Sequence, residues 1–152
     1  MLEALFYPKT VAVIGASRVP GKVGHAVVDN MTKFGFAGTV VPVNPKSDEI
    51  CGLKCYESLE AYGEKIDMSV IAVPTKFVKA AVESSIAAGA GAIICITAGF
   101  KEVGEEGAAL EKEIADLCRQ ANVRLLGPNC LGLINTDNLL NASFAGQMPA
   151  KG

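Results

Sequence analysis

The 152-residue chain has no apolar run approaching the ~18 residues of a membrane span, although half of its residues are hydrophobic. Its start, MLEALFYPKT, has neither the basic opening nor the long apolar segment of a secretory signal. Basic excess is missing too: 14 Lys and Arg stand against 16 Asp and Glu, a net charge of −2, which argues against nucleic-acid binding. There is one histidine, His25, and the five cysteines lack the compact spacing of a disulfide framework, which points to a reducing compartment. A soluble, cytoplasmic, single domain with a sizeable core is expected, with neither membrane nor nucleic acid as partner.

The informative stretch is Thr10 to Gly24, TVAVIGASRVPGKVG. Val11 to Ile14 form an unbroken apolar run, as in a strand covered on both faces of a parallel sheet. Gly15 ends the run at a sharp turn, and Ser17 can hydrogen-bond neighbouring backbone groups there. Pro20, Gly21 and Gly24 surround a helix start, whose free N–H groups and positive dipole end seat a phosphate. Arg18 and Lys22 add charge to the same corner. The spacing is G-x5-G-x2-G, so the dinucleotide fingerprint lacks its second glycine. No Lys-Ser or Lys-Thr follows, so it is not a P-loop. Such a turn could also exist only to let helix pack close on strand.

Further strands are expected at 39–43, 68–73, 92–97 and 123–126, with helices ending near Gly35, spanning 58–62, opening at Thr75, and running from Glu105 to Ala121. Pro42 lacks a ladder N–H, so the second strand should be short, bulged or at an edge. Residues 46–56 read as loop, and the segment after GPNCLGLINT as a tail with little periodicity. The alternation predicts a Rossmann-like, doubly wound α/β fold with a mostly parallel sheet. Ligands of such sheets bind outside the carboxyl ends of the strands. The exits Gly15–Arg18, Asn44–Lys46, Val73–Pro74, Ala98–Phe100 and Gly127–Cys130 should therefore share one rim.

NAD-binding domains end the second strand in a carboxylate for the ribose diol. Here it ends Val43-Asn44-Pro45-Lys46, with no carboxylate until Asp48. A lysine there would attract a ribose phosphate, as in coenzyme A or NADP, unless it is an ordinary solvated lysine.

The segments GASRVPGKVG, VNPK, VIAVP, ITAGFKEVG and GPNCLGLIN, in this order, resemble the coenzyme A-binding domain of ADP-forming acyl-CoA synthetases. The likeness covers nearly the whole chain and is strongest to the α subunit of the acetyl-CoA type. The start of the succinyl-CoA synthetase α subunit is more distantly similar. The resemblance implies that Gly15, Ala16, Ser17, Arg18, Pro20, Gly21 and Lys22 hold the coenzyme A phosphates. It puts Asn44, Pro45 and Lys46 near the nucleotide end, Val73 and Pro74 beside the cofactor, and Ile96, Thr97 and Ala98 on its other side. Asn129 would lie toward the reactive end, with Cys130. Succinyl-CoA synthetases have a glutamate at the position of Ala98; the ITAGF form is that of the acetyl type.

The implied reaction is reversible: acyl-CoA, ADP and phosphate give acid, coenzyme A and ATP, through an acyl phosphate and a phosphohistidine. The phosphohistidine domain and the ATP-grasp part that holds ATP or ADP with magnesium lie outside these motifs. Residues 1–136 are thus expected to be the coenzyme A-binding domain and 137–152 an extension toward the next, with the piece alone inactive as a ligase. Two rivals stand beside this reading: an NADP-binding oxidoreductase domain, and the coenzyme A-binding regulatory part of a protein lysine acetyltransferase.

Single residues add little. His25 does not match the family's catalytic histidine and reads as a polar rim or packing residue. Cys51 and Cys55, spaced C-x3-C, have no second ligand pair and no histidine close in sequence, so no metal is expected. Cys130 has no visible activating base. The acidic run Glu102, Glu105 and Glu106 reads as a solvated helix start.

Overall fold

The computed structural model describes residues 2–152. A short helix α1 (Glu3–Phe6) leads into β1 (Thr10–Ile14), α2 (Val23–Lys33) and β2 (Thr39–Val43). A small antiparallel hairpin, β3 (Glu49–Ile50) and β4 (Leu53–Lys54), precedes α3 (Leu59–Tyr62) and β5 (Met68–Ile71). Then follow α4 (Val78–Ala87), β6 (Ala92–Cys95), α5 (Glu105–Gln120), β7 (Arg124–Leu126), and a final antiparallel pair, β8 (Gly132–Asn135) and β9 (Leu140–Ser143).

The main sheet has the order β2-β1-β5-β6-β7, with every pair parallel. Strand residues alternate between two cores, as the period of 2 requires. Val11, Val13, Met68, Val70 and Ile94 pack with Val27, Val28 and Met31 of α2 and with Leu140 and Ala142 of β9. Ile71, Ile93 and Cys95 pack on the opposite face with Val78 and Val82 of α4 and Ile114 and Cys118 of α5. The sheet is therefore doubly wound, and the chain reverses its direction of progress between β1 and β5. That switch point is where such folds open a crevice.

Pro42 is tolerated because β2 is the edge strand. Its carbonyl accepts from Tyr56 N at 3.0 Å, on the side away from β1, so its missing N–H would also have faced outward. Ser58 caps α3, accepting from Ala61 N at 3.0 Å.

The structure differs from expectation in four places. Strands β5 and β6 end at Ile71 and Cys95, so Ala72–Val73 and Ile96–Thr97 belong to the rim instead. Thr75 is not the cap of α4; it opens a single 3-10 turn (Thr75–Phe77), and its hydroxyl donates to the Ala98 carbonyl at 2.8 Å. The loop at 46–56 contains the β3–β4 hairpin, whose turn residues Cys51 and Gly52 have φ of 51° and 78°. The segment read as tail supplies β9, all four residues of which are buried. Asn30 of α2 clamps it, its Nδ2 donating to the carbonyls of Ser143 (2.9 Å) and Ala145 (2.6 Å).

Candidate functional site

Parallel pairing puts the carboxyl ends of all five main strands on one edge, which gathers the exits following β1, β2, β5, β6 and β7 there. After β1, Gly15 (φ 90°) turns the chain beneath β5; a Cβ on it would lie 2.3 Å from the Ala72 carbonyl oxygen. Gly24 lets the first turn of α2 rest on that exit, since a Cβ there would lie 1.9 Å from the Gly15 carbonyl oxygen. No side chain caps the start of α2, so its first-turn N–H groups and dipole face the rim. Arg18 and Lys22 stand exposed beside it, and Ser17 Oγ stiffens the turn by accepting from Val19 N at 3.0 Å.

The neighbouring exits are cross-linked to this turn and to one another. Asn44 Nδ2 donates to the Ala16 carbonyl at 2.8 Å, while Asn44 Oδ1 accepts from Lys46 N at 2.8 Å. Gly15 N and Ala16 N both donate to the Val43 carbonyl, at 3.1 and 3.3 Å. Thr97 Oγ1 donates to the Val73 carbonyl at 2.6 Å, and Asn129 N to the Thr97 carbonyl at 3.0 Å. The exposed Lys46 joins no ion pair among the described residues, and neither do Arg18 and Lys22.

Two cavities open on this edge and meet at Val73. One of about 550 Å³ is walled by Val73, Ile96, Thr97, Ala98 and Asn129, with Cys130 at the same wall. Val23, Ala72, Leu131 and Phe144 complete it, none of which sequence reasoning selected. Phe144 follows β9, so it is out of reach of any reading that treats that segment as tail. The second cavity, about 290 Å³, lies over Gly15, Asn44 and Pro45, with Phe77 and Ala81 across it and Glu57 and Glu60 on its α3 side. Both volumes suit small-molecule sites, and both are mainly apolar with a few polar groups, as such sites are. Ser17, Arg18, Pro20, Gly21, Lys22, Lys46 and Pro74 line neither cavity; they stand on the exit loops around them, while Ala16 is buried.

Glu102 is exposed, as expected of a solvated residue, but it also holds backbone. Its two carboxylate oxygens accept from Gly99 N (3.0 Å) and Phe100 N (2.8 Å), fixing the exit turn of β6. Those backbone donors, Gly99 first, hold its carboxyl below the ordinary glutamate range. Burial acts the other way on the thiols of the rim. Burial pushes Cys95 up to about 12, and burial also raises Cys130, whose Sγ donates to the Cys95 carbonyl at 3.3 Å. His25 has its Nδ1 3.1 Å from the Ser17 carbonyl and 3.9 Å from Cys51 Sγ, so a histidine does stand beside one of the C-x3-C thiols.

Fold and rim define a Rossmann-like domain built to hold a phosphorylated nucleotide cofactor at its switch point. Comparison with known proteins narrows the class. The profile of the CoA binding domain family matches residues 9–136, and the chain belongs to that family. It is 48% identical over 151 residues to acetate–CoA ligase (ADP-forming) I of Archaeoglobus fulgidus, covering 99% of this chain and 22% of the relative. It is 43% identical to the α subunit of acetate–CoA ligase (ADP-forming) I of Pyrococcus furiosus, covering 94% of this chain and 32% of the relative. The solved dinucleotide-forming acetyl-coenzyme A synthetase 1 of Ca. Korarchaeum cryptofilum, in complex with phosphate and ADP, superposes with a TM-score of 0.89 at 40% identity. That match covers 95% of this chain and 31% of the other. The chain thus spans a fifth to a third of the length of these relatives.

Proposed function

We propose that this chain is the coenzyme A-binding part of an ADP-forming acyl-CoA ligase, which interconverts acyl-CoA, ADP and phosphate with acid, coenzyme A and ATP. The observation that carries the reading is the β1–α2 turn, whose two exposed cations and uncapped helix start face a β2 exit that ends in Lys46. The turn Gly15–Arg18 with Pro20, Gly21 and Lys22 would hold the cofactor's diphosphate, and Lys46 its ribose phosphate. The smaller cavity by Asn44 and Pro45 suits the adenosine. The larger one, between Val73 and the 96–98 wall, suits the pantetheine arm, with Asn129 at its far side. The thiol that reacts is the cofactor's; this chain binds and orients it, and its rim thiols Cys95 and Cys130 are not the nucleophile.

On this reading the phosphoryl-carrying domain and an ATP-grasp subunit or domain are the partners, and magnesium and ADP bind there. The chain alone then yields no ATP from acetyl-CoA, ADP and phosphate. Residues 137–143 belong to this domain through β9, so an extension toward the adjoining domain would begin only after them. Among the described residues no helix is long and apolar enough to cross a membrane. Five free cysteines support a reducing, cytoplasmic setting.

Calorimetric titration with coenzyme A, NADP and NAD tests the reading. Coenzyme A should bind most tightly and raise the melting temperature by mass action. Tighter binding of either nicotinamide cofactor would overturn it.

A further inference from the structure

We propose that His25, Asp29 and Cys51 form a binding site for a thiophilic divalent cation of the zinc class. His25 and Asp29 are four residues apart on α2 and so share one face of the helix. Cys51 comes from the tip of the β3–β4 hairpin, where its positive φ of 51° holds the turn. One ring nitrogen, one carboxylate oxygen and the Cys51 sulfur all lie within 4.8 Å of one another, and all three residues are half-buried. Tetrahedral zinc with bonds of about 2.0–2.3 Å separates its ligands by roughly 3.3–3.8 Å, so side-chain rotations of about 1 Å complete the site.

The donor set also fits the ion. Nitrogen, oxygen and sulfur ligands together select zinc and its neighbours over calcium or magnesium, and three protein ligands leave a fourth position for water. Ligation requires the thiolate, so the Cys51 proton leaves to solvent as the sulfur–metal bond forms. Asp29 also pairs with Lys33 Nζ at 3.3 Å, an exposed and therefore weak contact that a cation outcompetes.

The position gives the site a consequence. His25 Nδ1 touches the Ser17 carbonyl, so the cluster sits directly behind the turn bearing Arg18 and Lys22. A bound ion would staple that turn's helix to the hairpin that follows the β2 exit and Lys46. The proposal stands on these three side chains and does not depend on the coenzyme A reading.

Cobalt(II) titration of the reduced 152-residue chain tests it, with zinc as competitor. One ion per chain should bind and give a thiolate-to-cobalt charge-transfer absorption, and zinc should displace it and raise the melting temperature. Cys51→Ser should abolish the charge-transfer band. His25→Gln and Asp29→Asn should weaken uptake by more than the ~10–100-fold that loss of an outer-shell partner costs. Cys55→Ser should keep the band, and circular dichroism of each variant establishes that it is folded. Absence of stoichiometric uptake by the unaltered chain, or a band that survives Cys51→Ser or follows Cys55, would overturn the assignment.

Discussion

Asn44 and Ala16 are joined by a 2.8 Å hydrogen bond from the Asn44 amide to the Ala16 carbonyl, and this bond fixes the spacing between the β1 and β2 exits. The same amide accepts from Lys46 N, so one side chain sets the Lys46 backbone relative to the turn that carries Arg18 and Lys22. A cofactor with phosphates at two separated points requires its cations at fixed separation.

Replacing Asn44 by Ala should therefore loosen two loops at once. Each hydrogen bond lost is worth about 0.5–1.5 kcal/mol, so coenzyme A affinity should fall about tenfold. Calorimetry together with a melting curve measures both effects. Unchanged affinity would show that the tie does not organise the site.

Lys46→Ala tests the proposed contact with the ribose phosphate. A charge-assisted contact contributes roughly 1.5–3 kcal/mol, and an exposed one belongs near or below the lower limit. Coenzyme A should weaken by about tenfold while dephospho-coenzyme A is almost unaffected. Equal weakening of both ligands would mean that Lys46 reads no phosphate.

Gly24→Ala probes the contact between α2 and the β1 exit. The new methyl would fall 1.9 Å from the Gly15 carbonyl oxygen, which cannot yield without moving the turn. Overpacking of this kind costs about 1–3 kcal/mol. The melting temperature and coenzyme A affinity should drop together; a variant with native values of both would contradict the close approach.

Glu102 gives the rim a pH dependence. Its carboxyl titrates below the ordinary glutamate range because the protein's backbone donors prefer the anion. Its contribution is therefore complete above the unfolded value and disappears as pH falls through the lower, folded one. Carboxyl-carbon NMR should find Glu102 titrating below the other exposed glutamates, with the Gly99 and Phe100 amide signals shifting in step. Glu102→Gln should remove that linked shift. An ordinary titration midpoint would refute the assignment.

Much of this was legible in the sequence because it lies in local chemistry. Apolar runs marked the five main strands, Pro42 left an edge among three possibilities for β2, and Gly15, Pro45, Pro74 and Gly127 punctuated the exits. What escaped depends on neighbours far along the chain. The β3–β4 turn is Cys51-Gly52, and cysteine carries no signal for positive φ. Strand β9, LNAS, shows no alternation because both of its faces are covered, including its polar ones. Glu102 reads as solvent-facing, which it is, but its grip on the Gly99 and Phe100 N–H groups needs the turn that bends them back onto it. His25 and Cys51 are 26 residues apart, and only the crossover through α2 and β2 brings them together.

The pairing of Pro42 with Tyr56 also bears on how copies of this domain can meet. Open sheet edges invite strands from other chains, a route to unwanted assembly. On the β2 side a visiting strand finds no N–H at Pro42, and finds the Pro42 carbonyl and the Asn44 N–H already taken by Tyr56. On the opposite side β7 offers only three residues, Arg124–Leu126. The sheet is thus poorly suited to growing across a molecular boundary, because a strand from a second chain would find little to pair with on either side.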